Sequence, residues 1–365
     1  MINKKKIILI VLPNLKVGGA EKTHIYLAND WVNKGFIVKI LVLNKIGILK
    51  DLINKDIEII NLNVHRIRNA LFPITRQILS LKPSVIIAPM WPLTCIVAIS
   101  WLFSLKKGKL ILVEHTPLTG NYSNDLNSSF FLTKMSINLT YRFANNIIAV
   151  SKGVFNDLNK ILNMKLNQLK IINNAVKIIQ NKKNPSQIRE EYKLNKYSKI
   201  ILGIGNLKKQ KDFVTLIEAF NLLENKSNYG LFIIGEGFEK DRLFAQIKKL
   251  KLQNNVFLIG QSLEIYSWLK NADLFVNSST YDGLPLVIIE ALLCGVPVVS
   301  TDCISGPAEI LDHGKYGKLV QIKDYKKLSE QMELSLSSTI RKEILIKRGN
   351  DFNIDKISRQ YIELF

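Results

Sequence analysis

Short apolar runs suited to strands alternate with helical patterns along this chain, and the series starts twice. It runs through Ile7–Leu12, a helical pattern from Ala20 to Lys34, Ile37–Leu43, Val85–Ala88, Leu110–Val113 and Ile147–Val150. It restarts with Ile200–Gly205, a helical pattern from Phe213 to Leu223, Leu231–Gly235, Val256–Ile259, Leu274–Val276 and Val296–Ser300. Repeated strand–helix units imply parallel sheets, because parallel neighbours need a long crossover between them. The predicted fold class is therefore α/β, with two doubly wound parallel-sheet (Rossmann-like) domains facing across a cleft and ligands at the carboxyl ends of the strands. A length of 365 residues favours two cores over one. Lys177–Pro185 (KIIQNKKNP) is polar and lacks a period, so it reads as the linker. The predicted domains are residues 1–178 and 179–345, followed by a helix over residues 346–365.

One stretch carries more chemistry than the rest: Ser278–Leu311, SSTYDGLPLVIIEALLCGVPVVSTDCISGPAEIL. Asp282 follows the strand-like run that ends at Val276. Pro285 then sits where helices begin, since its missing N–H costs nothing there. Leu286–Cys294 reads as a buried helix stopped by Gly295, with a strand beyond it. Glu290 thus lies about two helical turns beyond the loop acid. The N–H groups of Leu286 and Val287 are donors at a helix N-terminus, suited to phosphate. Two acids flanking such a helix end suit a sugar joined to a diphosphate. The alternative is an ordinary strand–loop–helix with solvated acids.

Charge and composition narrow the partners. The formal net charge is +21. Residues 1–180 hold 24 Lys and Arg against 8 Asp and Glu, whereas residues 181–365 hold 27 against 22. Compositional drift would raise both halves alike, so the first half is expected to face something anionic. His65–Lys82 mixes Arg66, Arg68, Arg76 and Lys82 with Leu71, Phe72, Ile74, Ile78 and Leu79, and Pro73 is expected to break it. Trp91–Lys109 is apolar, with Trp91, Trp101 and Phe103, and ends in Lys106, Lys107 and Lys109. Basic and aromatic residues at an apolar edge suit an anionic membrane surface, although buried helices give a similar pattern. No nucleic-acid-binding signature accompanies the charge, so no nucleic-acid partner is expected. No apolar run reaches the ~20 residues of a spanning helix, and the opening MINKKKIILIVLP is too short for a signal sequence. Cys95, Cys294 and Cys303 have no metal-ligand spacing and form no disulfide framework, which fits a reducing cytoplasm.

The Asp282–Glu290 stretch resembles the nucleotide-sugar motif of retaining GT-B glycosyltransferases, in particular glycosyltransferase family 4. That family carries two acids with seven residues between them, in a setting like E-G-x-P-x-x-x-x-E. Here Asp282 stands where Glu is usual, and Glu290 matches. Further segments resemble the family in the same order, from Ile7 to about Leu319. GGAEK at Gly18–Lys22 matches its first loop, which touches donor phosphates or acceptor. EHT at Glu114–Thr116 supplies its histidine, and GIGNLKKQKDF at Gly203–Phe213 supplies its phosphate-contacting lysine, Lys211. Five positions before that lysine the family has Arg, whereas this chain has Asn206; Lys208 or Lys209 could replace the charge. IIGEGFEKDRL, VFLIGQ (with Gly260 and Gln261) and SGPAE (with Gly306, Pro307 and Glu309) follow.

The resemblance implies a metal-independent, retaining glycosyltransferase that needs no cofactor. Its donor would be a nucleotide sugar, UDP-linked by expectation, and its acceptor lipid-linked or polysaccharide, in cell-surface polysaccharide or lipopolysaccharide assembly. The enzyme would lie peripherally on the cytoplasmic face of the membrane. The first domain would bind acceptor, the second would bind donor, and the terminal helix would cross back to the first. The implied catalytic residues are His115, Lys211, Asp282 and Glu290. The implied donor-binding residues are Gly18, Gly19, Asn206, Lys211, Gly260, Gln261, Asp282, Gly283, Leu286, Val287 and Glu290, and no metal site is expected. Within that set Lys211 and the helix end at Leu286–Val287 would stabilise the diphosphate, while Glu290 holds the ribose. Asp282 and His115 would orient sugar hydroxyls, and main-chain groups at Gly260 and Gln261 would hold the base. Glu114 and Glu309 read as structural. A nucleotide-sugar epimerase of the same fold and an inactive membrane-binding scaffold are the alternatives.

Overall fold

The computed structural model describes residues 6–119, 128–162, 167–178, 182–338 and 340–365. The chain folds into two units, Met1–Val176 with Asn353–Phe365, and Lys177–Phe352. In the first unit β1 (Ile7–Leu12), β2 (Ile37–Val42), β3 (Glu58–Asn61), β4 (Val85–Pro89), β5 (Lys109–Glu114), β6 (Asn146–Ala149) and β7 (Leu169–Ile171) form one parallel sheet. Its helices are α1 (Gly19–Asn33), α2 (Leu71–Leu81), α3 (Leu93–Phe103), α4 (Ser128–Thr140) and α5 (Lys152–Ile161). The strand order is β3-β2-β1-β4-β5-β6-β7. Ile8 to Leu12 are all fully buried, which explains why the strand reads as an unbroken apolar run: a parallel sheet is covered on both faces.

In the second unit β8 (Lys199–Ile204), β9 (Tyr229–Ile234), β10 (Val256–Gly260), β11 (Leu274–Asn277), β12 (Val298–Thr301) and β13 (Lys318–Val320) form a parallel sheet in the order β10-β9-β8-β11-β12-β13. Its helices are α6 (Pro185–Glu191), α7 (Phe213–Asn221), α8 (Lys240–Lys249), α9 (Ile265–Leu269), α10 (Leu286–Leu293), α11 (Pro307–Ile310), α12 (Tyr325–Ser337) and α13 (Lys342–Gly349). The order runs outward both ways from β8, so crossovers change face between β8 and β11 and the loops after them part to leave a crevice. Phe213, Leu216, Ile217 and Phe220 give α7 a fully apolar inner face in the unit's core. Each such side chain contributes about 1.5–3 kcal/mol on burial.

Three strands, β3, β7 and β13, escaped the sequence reading. All are edge strands of three or four residues (EIIN, LKI and KLV), short and part-polar as edges tend to be. The predicted linker holds an ordered start: the Asn184 side chain caps α6 in a reciprocal pair with Gln187, and Pro185 opens the helix. Residues 179–181 of that segment lie outside the described residues. At the other end, α14 (Ile354–Ile362) buries Ile354, Ile357 and Tyr361 on one face. Tyr361 and Phe365 pack on Trp31 of α1, with ring centroids 5.9 and 5.1 Å away. Return to the first unit therefore begins at Asn353, and residues 346–352 belong to the second.

The two basic–apolar stretches are mostly core. Pro73 does not break its stretch; it sits in the first turn of α2, where the N–H that proline lacks would have no intrahelical partner. Ile74, Ile78 and Trp101 are buried, and of the apolar residues in the two stretches Phe72, Leu79, Phe103 and Leu105 are exposed. Among the described residues no helix is long and apolar enough to cross a membrane.

Candidate functional site

In the second unit the strand order brings together two loops far apart in sequence. The loop after β8 carries Lys211, and the loop after β11 carries Asp282. Lys211 Nζ donates to both Asp282 oxygens at 2.9 Å. Only 16% and 10% of the two side chains are exposed. The backbone holds the loops in register. Thr280 N–H donates to the Gln210 carbonyl at 2.8 Å, Gln210 Nε2 to the Tyr281 carbonyl at 2.8 Å, and Ser278 Oγ to the Lys211 carbonyl at 2.8 Å. The aliphatic part of Lys211 lies over Gly205, where an added Cβ would come 3.1 Å from Cε. Lysine and carboxylate, assigned separate roles from sequence, thus form one ion pair. Two ammonium hydrogens serve Asp282.

Beside this pair, α10 starts after Pro285 with no side-chain cap, so the N–H groups of Leu286 and Val287 keep the character of helix-end donors. Glu290, in the second turn, is 8% exposed. The SGPAE loop closes on the loop before α10: Ser305 Oγ donates to the Gly283 carbonyl at 2.9 Å. Gly306 has φ +90°, and a Cβ there would fall 2.6 Å from that same carbonyl oxygen, so this position needs glycine. Arg348 of α13 anchors the loop, donating to the carbonyls of Glu309 (2.7 Å) and Ile310 (2.8 Å). Nothing in the sequence distinguishes Arg348 from the other basic residues around it. Burial first, then the Asp282 carboxylate, push the Cys303 thiol up to about 12, so it stays a neutral packing group.

Asn206 is half-buried, and Lys208 and Lys209 are exposed. The Gly260 carbonyl accepts from Gly235 N–H at 2.9 Å, which ties it to the sheet edge, while Gln261 is exposed. Among the described residues no group of three or more His, Cys, Asp and Glu could hold a metal ion.

In the first unit, Gly18 and Gly19 open α1. Glu21 is buried at the third helical position, and its Oε2 lies where a Cβ on Gly18 would approach to 2.1 Å. His115 follows β5 and is buried. Burial, reinforced by His24, holds its pKa well below the ordinary histidine range, so the ring is neutral. The rings of His115 and His24 meet edge to face, centroids 5.2 Å apart. Asp157 of α5 clamps the chain just beyond, accepting from Leu118 N–H at 2.6 Å and Thr119 N–H at 3.3 Å. Glu114 faces away into a buried network with Trp91 N–H (3.3 Å), Thr94 Oγ1 (3.2 Å) and the Tyr141 hydroxyl. Burial pushes its pKa up to about 7, and its role is to tie β5 to α3. Sequence reading missed His24 and Asp157, each of which gains meaning only from a neighbour distant in sequence.

Comparisons with known proteins bear on the family and the fold. Residues 17–178 match the family model "Glycosyltransferase Family 4", and residues 184–352 match "Glycosyl transferases group 1". An uncharacterised glycosyltransferase of Methanocaldococcus jannaschii is 30% identical over 287 residues, covering 69% of this chain and 70% of the relative. The N-acetylgalactosamine-N,N'-diacetylbacillosaminyl-diphospho-undecaprenol 4-alpha-N-acetylgalactosaminyltransferase of Campylobacter jejuni is 31% identical over 263 residues, covering 70% of this chain and 69% of the relative. Among solved structures, Anabaena Alr3699/HepE in complex with UDP and glucose superposes with a TM-score of 0.81 at 21% identity, covering 98% of each chain. Two parallel-sheet units of the GT-B class, two family models in that order and relatives aligned over most of their length together make this chain a member of the family 4 glycosyltransferases.

Proposed function

We propose that the protein transfers a sugar, with retention and without a metal, from a UDP-sugar to a lipid-linked or polysaccharide acceptor in cell-surface glycan assembly. The observation that carries this reading is the Lys211–Asp282 pair at the strand-order reversal, beside the uncapped start of α10. Fixed cationic and dipolar groups there suit a departing diphosphate. The acceptor oxygen attacks the anomeric carbon on the face that the diphosphate leaves; the bond from that carbon to phosphate oxygen breaks, and a phosphate oxygen takes the hydroxyl proton. Glu290 holds the ribose and neutral His115 bonds a sugar hydroxyl. Similar proteins support the substrate classes: one complex holds UDP and glucose, and one relative acts on a diphospho-undecaprenol-linked sugar. The test is nucleotide release from UDP- and GDP-sugars in EDTA, with and without a membrane lipid extract. Extract-stimulated release from one UDP-sugar is expected. Release that needs added divalent cation would refute metal independence, and sugar isomerisation without acceptor would identify an epimerase.

The acceptor's lipid suggests a membrane surface, and α4 is the element that fits one. Phe131, Leu132, Met135 and Leu139 form an exposed stripe on a helix without Asp or Glu. Phe143 continues it, with Lys106 Nζ 5.8 Å from its ring centroid, next to exposed Phe103 and Leu105. Apolar side chains edged by Lys106, Lys107 and Arg142 suit an anionic bilayer on the cytoplasmic face. Replacing Phe131 and Met135 by serine is expected to weaken binding to phosphatidylglycerol vesicles by at least about tenfold, with no loss of thermal stability. Equal co-sedimentation of variant and wild type would remove α4 from the contact.

A further inference from the structure

Of the four histidines in the chain, two meet inside the first unit. His24 lies in the second turn of α1, fully buried, with Nδ1 2.9 Å from the carbonyl oxygen of Ala20. A carbonyl only accepts, so Nδ1 carries the proton, and Nε2 of the neutral ring is left with a lone pair that can only accept. Burial, opposed by the Ala20 carbonyl, holds the pKa down at about 4, so the neutral form is the one at physiological pH. Nε2 is buried and has no hydrogen-bond partner among the described residues. A buried acceptor in that state is costly, and packing does not call for it, since an apolar side chain would fill the same space. The ring next to it is His115, whose nitrogens are also buried.

We propose that His24 is a second substrate-binding histidine, whose Nε2 accepts a hydrogen bond from a sugar hydroxyl alongside His115. The inference rests on the transferase reading above. A lone pair offers nothing to a phosphate, which excludes the diphosphate as its ligand. A single O–H satisfies it, and both the transferred sugar and a glycan acceptor carry such groups.

Two variants separate this role from a packing role. His24→Phe keeps a flat ring against His115 and removes both nitrogens; His24→Gln gives up the ring and keeps a polar end at similar depth. Both are assayed with whichever of UDP-glucose, UDP-galactose, UDP-N-acetylglucosamine and UDP-N-acetylgalactosamine the wild type turns over in the presence of lipid extract. His24→Phe is expected to lower kcat/KM about tenfold or more, with UDP affinity within about twofold of wild type and an apparent Tm no more than about 2 °C lower. His24→Gln is expected to keep more transfer than His24→Phe. A rise in donor KM assigns the hydroxyl to the transferred sugar, and a rise in acceptor KM assigns it to the acceptor. Wild-type transfer by His24→Phe overturns the proposal. If His24→Phe melts early, His24→Gln decides: retained transfer supports the role, and loss to the same level overturns it. A wild type inactive with every one of these donors refutes the reading of a UDP-sugar and a lipid-extract acceptor instead. The ring 15N spectrum of the wild type still bears on His24 then, because a protonated Nε2 would overturn the proposal and an unprotonated one supports it.

Discussion

Replacing Lys211 by methionine is expected to reduce transfer by about 100- to 1,000-fold, the range seen when one preorganised charge-stabilising donor is removed. The lysine neutralises a departing diphosphate on the proposed reading, and it also compensates Asp282, with which it shares two contacts of 2.9 Å. Methionine fills much the same volume over Gly205 but leaves the carboxylate unpaired. Breaking a fully buried pair costs about 3–5 kcal/mol; this one retains some solvent, so about 2 kcal/mol is expected. Asp282→Asn alone should reduce transfer much more than UDP binding. The double variant distinguishes the two roles. Removing both charges should restore most of the thermal stability that Lys211→Met loses, because no isolated charge remains, while transfer stays at the low level. Parallel melting curves and transfer assays make the check. Transfer that recovers together with stability would show that the pair is structural only.

Glu290→Gln is expected to act on binding. A buried carboxylate that accepts ribose hydroxyls contributes about 1.5–3 kcal/mol through charged hydrogen bonds, or roughly 10- to 100-fold in affinity. Titration calorimetry with UDP should show that loss, and donor KM should rise with kcat little changed. A fall in kcat at unchanged UDP affinity would move Glu290 from holding the nucleotide to the reacting sugar.

The parts of this site that were legible in the sequence are those fixed by local chemistry. Pro285 before an apolar run and Gly295 after it delimit α10, and Gly295 indeed adopts φ +71°. Gly306 stands out in the sequence only through the resemblance of SGPAE to the family, and the structure adds the carbonyl of Gly283 that forbids a side chain there. The sequence alone does not separate the two readings of the membrane-type stretches, because a helix covering a parallel sheet and a helix lying on a bilayer share an apolar face. Trp101 and Ile78 belong to the first kind, and only burial distinguishes them. The stripe on α4 went unnoticed because Phe131, Leu132, Met135 and Leu139 have the spacing of an ordinary core face.

By itself, the sequence determined that there are two parallel α/β units, where the major strands end, and which loops lie at their carboxyl ends. Those follow from runs of apolar residues and from proline and glycine, whose effects reach only a few positions along the chain. Strand order was decided by tertiary structure alone. Nothing local sets β8 beside β11, yet that neighbourhood joins Lys211 to Asp282. Likewise the helix after β1 meets the end of β5, which puts His24 against His115. Pairings across such distances depend on how whole sheets bury their faces, so the ion pair and the histidine pair emerge only when the chain has packed.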